Sequence, residues 1–217
     1  MVSAELQRNL ETVLGRIENA ASGRRVGVVA ATKTVSAETV NAVVELGITD
    51  VGENRVQEYL SKRDAVKAAK WHFIGTLQRN KVKYLVGDVA LIQSVSSAEL
   101  AVEIDRVAAK RGVIQSVLVE VNADDEPNKT GAKICEIDEL IETVKKLKNV
   151  RLRGLMAVPP IAASDLVYRR LRDIFERYTD GEFDTLSVGM SGDYERAIAF
   201  GSNMVRIGTA LFGARNY

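Results

Sequence analysis

Lys33 is the side chain in this sequence that is best placed for covalent chemistry. It follows the apolar, β-branched run 26–31 in the segment VVAATK. A lysine at the end of a buried strand is partly desolvated, which favours its neutral amine and the attack of that amine on a carbonyl carbon. The alternative is a solvated lysine at a strand end, and the spacing alone does not choose between the two.

Two glycine-containing turns near the carboxyl end of the chain have the composition of a phosphate site. Ser191-Gly192 precedes a helical pattern, and Gly208-Thr209 precedes the short helical turn 210–212. Backbone amides at helix starts bind phosphate, and the loops after the last two strands of a parallel (β/α)₈ barrel commonly do so. Because serine, threonine and glycine are also favoured at ordinary turns and caps, each turn alone is weak evidence. Their joint position favours a phosphate ligand.

A reactive lysine combined with a phosphate site indicates a phosphorylated carbonyl compound. Sugar phosphates in a Schiff-base aldolase and pyridoxal phosphate both satisfy that description. Arg206 lies two residues before Gly208, so its side chain can point into the mouth of a barrel. A guanidinium cannot accept a proton, so beside a pyridine nitrogen it donates a hydrogen bond and keeps the ring neutral. Arg206 therefore favours pyridoxal phosphate, with a phosphate contact or a structural ion pair as its alternative use.

The elements that position these residues alternate along the whole chain. An opening helix with apolar residues at helical spacing is followed by eight short apolar runs, with amphipathic stretches between them. Three of those stretches are predicted as helices over 97–111, 134–148 and 165–178, and Ser96 with Glu99 fits a capping box. The predicted strands are 26–31, 50–52, 71–75, 90–94, 115–121, 152–158, 185–188 and 203–207.

Eight strands that alternate with helices predict a single α/β domain over residues 1–217, a (β/α)₈ TIM-type barrel with an extra N-terminal helix. An open doubly wound sheet is the alternative, but it usually has fewer strands, and its G-x-G-x-x-G fingerprint is absent here. Only a short tail follows the last strand. We therefore expect the opening helix to cover the gap that a missing eighth helix leaves.

Composition excludes several other classes of protein. The formal net charge of +1 gives no reason to expect nucleic acid or an anionic membrane as a partner. A single cysteine, Cys135, excludes an intramolecular disulfide framework, and one cysteine with one histidine cannot make a histidine- or thiolate-rich metal site. The first twenty residues are interrupted by charges, unlike a secretory signal, and no segment has the roughly 20 apolar residues of a membrane span. We expect a cytoplasmic protein without a metal.

Five motifs, in order along the chain, resemble the pyridoxal phosphate homeostasis protein family. They are VAATKTVS around Lys33, GENRVQE at 52–58, WHFIGTLQRNK at 71–81, LRGLMAVPP at 152–160 and LSVGMSGDYERAIAFGSNMVRIGTALFGAR at 186–215. The family is similar to the barrel domain of alanine racemase without that enzyme's second domain. The resemblance thus implies one barrel that carries pyridoxal 5'-phosphate as an imine on Lys33.

The resemblance also implies roles for the other site residues. Asn54 of GEN is expected beside the cofactor ring or its phenolic oxygen, and Arg206 is expected to face the pyridine nitrogen. The phosphate group is expected on Ser191, Gly208 and Thr209. The chain departs from the usual motifs at Thr76, where proline is common, and at Ala31, where serine is common. His72 is predicted to pack within its strand rather than line the mouth.

The resemblance implies a role in cofactor and amino-acid or keto-acid homeostasis, so we expect a carrier that buffers or delivers pyridoxal phosphate, with no catalytic residues. Its expected partners are pyridoxal phosphate and PLP-dependent apo-enzymes, and the chain itself is expected to be a monomer. The alternatives are a weak racemase or decarboxylase, and an interaction module with a regulatory cofactor site. Strong catalysis is disfavoured because an arginine at the ring nitrogen weakens the electron sink. In addition, the candidate tyrosines for a second acid/base, Tyr59, Tyr84 and Tyr168, fall in helical patterns.

Overall fold

A computed structural model describes residues 3–124, 126, 129–160 and 162–213. The described chain opens with helix α1 (Ala4–Ala21), which begins where the side chain of Ser3 accepts a hydrogen bond from the amide of Leu6. A serine in this position satisfies one of the free amides of the first turn. Apolar residues at helical spacing give α1 one buried face. The opening helix predicted from the sequence is confirmed.

Nine strands follow in the described residues, and eight of them form a closed barrel. All pairings are parallel, the order around the sheet is β4-β3-β2-β1-β9-β8-β7-β5, and the pairing of β4 with β5 joins the two ends. The two-residue strand β6 pairs beside the end of β5. The predicted (β/α)₈ barrel is therefore confirmed, and the alternative of an open sheet is excluded. The strands are β1 Gly27–Ala31, β2 Asp50–Glu53, β3 Lys70–Phe73, β4 Leu91–Val95, β5 Gln115–Asn122, β6 Ala132–Lys133, β7 Val150–Ala157, β8 Thr185–Met190 and β9 Met204–Ile207.

Helices lie between most of the strands. Within the described part of the chain, none of them is both long and apolar enough to cross a membrane. The helices after α1 are α2 Ala37–Glu45, α3 Val56–Lys62, α4 Ala98–Arg111, α5 Ile137–Lys145, α6 Asp165–Tyr178, α7 Tyr194–Ala199 and α8 Thr209–Phe212, with 3₁₀ helices at Arg79–Tyr84 and Ile134–Glu136.

Two local predictions about helix starts were wrong. The cap of α4 is Ser97 rather than Ser96: its backbone is extended and its hydroxyl accepts from the amide of Leu100 at 3.3 Å. With that cap, Glu99 is the second residue of the helix, so no capping box forms. The helix predicted from residue 134 begins three residues later, because its first turn is the tighter 3₁₀ helix.

Helix α1 occupies the place that a full eighth helix would fill. It packs against α7 and α8, and α8 has only four residues. The side-chain amide of Asn9 donates to the carbonyl oxygen of Leu211 at 3.1 Å, which joins the two ends of the described chain. The expectation that the opening helix covers this gap is confirmed.

The core has an outer and an inner part. The large apolar cluster lies between the strands and the surrounding helices, and a separate small cluster of Leu91, Leu118 and Met156 packs with Met204. These four side chains come from β4, β5, β7 and β9, on the alternate residues of each strand that face the barrel interior. Buried polar side chains, such as those of Gln93, Ser187 and Arg206, also lie in the barrel interior.

Candidate functional site

The structure places all six predicted site residues at one end of the barrel. Lys33, Asn54, Ser191 and Gly208 each lie just past the carboxyl end of a strand, and these strands, β2, β1, β9 and β8, are consecutive neighbours around the barrel. Ligands of (β/α)₈ barrels bind at this end. The closure of the barrel thus brings residues from distant segments of the sequence onto neighbouring strands, at the carboxyl end where the sequence analysis expects them.

Lys33 lies in a tight turn directly after β1. Its side chain is half-buried, and the next residue, Thr34, has a left-handed backbone with φ of +65°. The amide of Thr34 donates to Oε2 of Glu58 on α3 at 2.8 Å. A non-glycine residue with positive φ is uncommon, so this hydrogen bond holds an otherwise unfavoured turn in place. The position of the Lys33 backbone is thereby fixed.

Three buried residues on the outer side of the barrel wall support this turn, and we call them the Lys33 support: Thr32, Glu53 and Lys62. The hydroxyl of Thr32 donates to Oε1 of Glu53 at 2.8 Å. The ammonium of Lys62 donates to the same carboxylate oxygen at 2.7 Å and to the carbonyl oxygen of Thr32 at 2.8 Å. Lys62 thus ties the end of β2 to the residue that precedes Lys33.

The carboxyl group of Glu53 is buried and only one of its two oxygens is hydrogen-bonded within the described residues. It is fully buried, and burial raises its pKa, while hydrogen bonds from Lys62 and Thr32 act against that rise. Its second oxygen, Oε2, has no hydrogen-bond partner in the described structure. Sequence reasoning missed this residue, although a glutamate that ends an apolar strand inside the motif GEN was a usable signal.

Lys33 shares a cavity of about 430 Å³ with the last turn of the barrel. Lys33, Gly208 and Thr209 line it, and the start of α1 forms another wall through Glu5 and Asn9. Three of the six predicted residues thus meet around one space, and all three follow neighbouring strands β1 and β9. The contribution of α1 was not predicted, because it depends on contacts between opposite ends of the chain.

Ser191 joins the two glycine-containing turns. Its hydroxyl oxygen accepts hydrogen bonds from the amides of Gly208 and Ala210, both at 3.1 Å. These amides belong to the first turn of α8, so the serine satisfies donors that would otherwise be free. Because the oxygen accepts both bonds, the hydroxyl proton stays available to donate to a ligand.

Arg206 lies inside the barrel and is 3% exposed. Its Nη1 donates to the carbonyl oxygen of Ser187 at 2.7 Å and to the Ser187 hydroxyl at 2.6 Å, and its Nη2 donates to the carbonyl oxygen of Ala157 at 2.8 Å. Burial lowers the pKa of Arg206 to about 10, and the negative charges of Glu120 and Asp193 oppose this shift by raising the pKa. The guanidinium is therefore still a cation at neutral pH, and these bonds use three of its five N–H groups.

Asn54 is half-buried directly after β2, in close contact with the end of β3. A Cβ atom at Gly75 would lie 2.2 Å from the carbonyl oxygen of Asn54, so no larger residue fits at position 75 without moving the chain. The glycine of WHFIG therefore sets the backbone of the asparagine of GEN.

The expected packing of His72 within its strand is confirmed, and two of the three candidate tyrosines are also packed. His72 is 4% exposed, on the interior face of β3. Tyr59 packs edge-on against Trp71, and the hydroxyl of the buried Tyr168 donates to Asp193 at 2.7 Å. Tyr84, in contrast, is 37% exposed in the 3₁₀ helix Arg79–Tyr84.

Comparison with known proteins agrees with this geometry. The family model described as "Alanine racemase, N-terminal domain" matches residues 3–216. Pyridoxal phosphate homeostasis proteins from Aquifex aeolicus and Escherichia coli are 42% and 36% identical to the chain; each match covers 98% of this chain, and 97% and 98% of the relative. The chain therefore belongs to the alanine racemase N-terminal domain family and, within it, to the pyridoxal phosphate homeostasis proteins.

Solved structures show the same fold. PipY from Synechococcus elongatus with PLP bound has a TM-score of 0.83 and 25% identity, over 96% of this chain and all of that one. A structure from Bifidobacterium adolescentis, described as an unknown protein, has a TM-score of 0.87 and 33% identity, over 96% of this chain and 94% of that one. Alanine racemase from Clostridium difficile matches in fold at 17% identity, with 98% of this chain covering 60% of the enzyme.

Proposed function

We propose that this protein is a one-domain, monomeric carrier of pyridoxal 5'-phosphate in the cytoplasm, with the cofactor held as an imine on Lys33. The observation that carries the proposal is the cavity that Lys33 shares with Gly208 and Thr209. It places the Lys33 amine and the turn that begins α8 around one space large enough for a small phosphorylated aldehyde. The PLP-bound structure of the relative PipY supports the same ligand.

The residues at this end of the barrel fit the cofactor's chemical groups. Lys33 supplies the amine that binds the aldehyde carbon, and Asn54 lies beside the ring or its phenolic oxygen. Ser191, Gly208 and Thr209 hold the phosphate group through a hydroxyl proton and the first turn of α8. Arg206 uses three of its five N–H groups in bonds to Ser187 and Ala157, and one of the other two would donate to the pyridine nitrogen.

The charge at Arg206 favours a carrier over an enzyme. Bound pyridoxal phosphate supplies an electron sink, which is strongest when a carboxylate keeps the ring nitrogen protonated. Arg206 is a buried cation and cannot take that role, so we expect the protein to hold the cofactor, buffer its free concentration and pass it to PLP-dependent apo-enzymes. Slow background exchange through Lys33 itself remains compatible with this function.

One residue favours the alternative of a weak racemase or decarboxylase. Glu120 on β5 is buried, burial raises the pKa of its carboxyl, and the hydroxyl of Thr130 donates to it at 2.6 Å. Its charge acts on Arg206, so it lies in the same part of the interior. A carboxyl with a raised pKa is suited to general acid catalysis. Any turnover that depends on Glu120 would support the enzyme.

The absorbance spectrum of purified protein mixed with pyridoxal phosphate tests the covalent site. We expect a visible imine band in the wild type, its loss in Lys33→Ala, and its retention in the control Lys129→Ala. Lys129 is a matched loop lysine whose ammonium is paired with Asp124 and Glu126, both at 2.9 Å. Reduction with borohydride and peptide mapping should place the adduct on Lys33. An adduct on another lysine, with Lys33 unmodified, would overturn the assignment.

A further inference from the structure

A row of hydrogen-bonded polar side chains crosses the barrel interior from the site to the opposite end, and we call it the interior chain. Nη1 of Arg206 is 2.6 Å from the hydroxyl of Ser187, which is 2.7 Å from Oε1 of Gln93. Nε2 of Gln93 is 2.9 Å from Nδ1 of His72, and Nε2 of His72 is 3.0 Å from Oδ1 of Asp50. The first four members are at most 4% exposed, whereas the Asp50 side chain is 38% exposed.

With the Gln93 side-chain oxygen toward Ser187 and its nitrogen toward His72, the chemistry of these groups gives each bond a direction. A guanidinium only donates, so the Ser187 oxygen accepts from Arg206 and its own proton goes to the Gln93 carbonyl oxygen. The Gln93 amide nitrogen only donates, so Nδ1 of His72 must be the bare, accepting nitrogen. Nε2 of His72 then carries the proton and donates it to the carboxylate of Asp50. All four bonds point from the buried cation toward the carboxylate.

This arrangement links two charges across the barrel. Hydrogen bonds in series that point the same way polarise one another, and the effect is larger in a low-dielectric interior. At the far end, the hydrogen bond from His72 lowers the pKa of Asp50, so the acceptor stays ionised. The other charged groups that act on the two ends are Lys70 at Asp50, and Glu120 and Asp193 at Arg206.

We propose that Ser187, Gln93 and His72 are positioning residues, which hold the Arg206 guanidinium toward the pyridine nitrogen and lock His72 as the neutral Nε2–H tautomer. The part of this inference that concerns the ring nitrogen rests on the proposed function. The part that concerns the tautomer does not, because the four bonds join protein side chains only. The two parts can therefore fail separately.

The tautomer can be measured directly, because His72 is the only histidine in the sequence. In ¹⁵N-histidine-labelled protein without cofactor, we expect one bare and one protonated ring nitrogen, with the proton on Nε2. Finding the Nδ1–H tautomer in the wild type would overturn the inference without any variant.

Two variants and a control then test the chain. Gln93→Glu is isosteric and replaces the donor to Nδ1 by an acceptor, so we expect His72 to become a charged imidazolium at neutral pH. Ser187→Ala removes the hydroxyl that connects Arg206 to Gln93, although the carbonyl oxygen of residue 187 still accepts from Nη1. The variant should shift the titration of the bound imine, followed by absorbance, by about half a pH unit, about a threefold change in its ionisation constant. Ser202→Ala is the control: its hydroxyl is also buried and bonded to β8 and β9, but outside the chain.

The outcomes separate the inference from the proposed function. If the wild type forms no imine, the cofactor assignment fails, while the tautomer result still decides whether the interior chain exists. If the imine forms and Ser187→Ala titrates like the wild type and Ser202→Ala, the side chains only pack, and the positioning role is wrong. An unchanged His72 in Gln93→Glu contradicts the assigned direction of the bonds.

Discussion

The Lys33 support and the interior chain are both buried and polar, but they lie on opposite sides of the barrel wall and stabilise the site differently. In the support, a carboxylate and an ammonium meet directly at 2.7 Å. In the interior chain, three neutral side chains separate the cation of Arg206 from the carboxylate of Asp50. The first fixes the backbone that carries the reactive amine, while the second connects a buried cation through neutral side chains to a carboxylate at the other end of the barrel.

The two arrangements differ in where they place a carboxylate relative to the cofactor ring. A direct ion pair in the interior would bring a carboxylate close to the cofactor ring, where it could keep the ring nitrogen protonated. The interior chain instead ends on a carboxylate at the far end of the barrel, at the first residue of β2. The member of the interior chain at the site end is then the guanidinium, which agrees with the function of a carrier, whereas Glu120, whose charge also acts on Arg206, is the carboxyl on which the enzyme alternative depends.

Breaking the Lys33 support should have the largest effect. Lys62→Met leaves Glu53 buried without a counter-ion, and removing one partner of a buried pair typically costs about 3–5 kcal/mol in the free energy of unfolding. Denaturant titration measures this cost, with the exposed Lys67→Met as the control. We expect the loss to shrink at lower pH, because Glu53 can then take up a proton. Equal stability of the two variants would contradict the role of the support.

Removing hydroxyls from the phosphate site should have an intermediate effect on binding. Thr209→Ala and Ser191→Ala should weaken pyridoxal phosphate by about 1–3 kcal/mol each, and unphosphorylated pyridoxal much less, because hydrogen bonds to an anion are about twice as strong as neutral ones. Thr39→Ala is the matched control, since Thr39 lines the same cavity from α2. Equal losses for both ligands would show that these residues do not hold the phosphate.

The pH dependence of stability should differ in sign between the two regions. The pKa of Asp50 is lowered below its ordinary value of 3.8, so its contribution to stability is present above that value and is lost as pH falls through the lower, folded-state pKa. The pKa of Glu53 is raised above 4.5, so its contribution is present below 4.5 and is lost as pH rises through the folded-state pKa.

Unfolding free energies measured against pH can separate these contributions. Asp50→Asn should remove part of the loss at acidic pH, and Glu53→Gln should remove part of the loss as the pH rises above 4.5. These are the smallest effects that we predict, since Asp50 is partly exposed and screened by solvent. If Asp50→Asn instead reduced the loss of stability at rising pH, and Glu53→Gln reduced the loss at acidic pH, the electrostatic roles assigned to both residues would be wrong.

Much of the fold could be read from the sequence because its signals are local. Each strand is a short apolar run and each helix has its own periodicity, so eight alternating runs predicted the barrel and its carboxyl-end face. The cap at Ser97 and the 3₁₀ turn before α5 were missed, because a shift of one to three residues depends on backbone geometry that neighbouring serines or apolar residues leave open.

The candidate site likewise contains residues that the sequence predicted and contacts that it did not predict. Lys33, Gly208 and Thr209 follow their strands directly, so spacing and the family resemblance placed them at the mouth. The wall formed by α1 depends on a contact such as that of Asn9 with Leu211, 202 positions apart. The packing of His72 was predicted, but its partners Gln93 and Asp50 were not, because periodicity identifies a buried face without naming the residue on the facing strand.

Cofactor transfer and catalytic exchange, measured on the same holoprotein, test the central claim most directly. We expect the wild type to pass bound pyridoxal phosphate to an added PLP-dependent apo-enzyme and to incorporate no appreciable solvent deuterium at the α-carbon of common amino acids. Lys33→Ala is the control for imine-dependent transfer, and Glu120→Gln identifies exchange that depends on that carboxyl. Transfer without turnover is the predicted result; turnover near the usual enzymatic range of about 1–10³ s⁻¹ would contradict the carrier function.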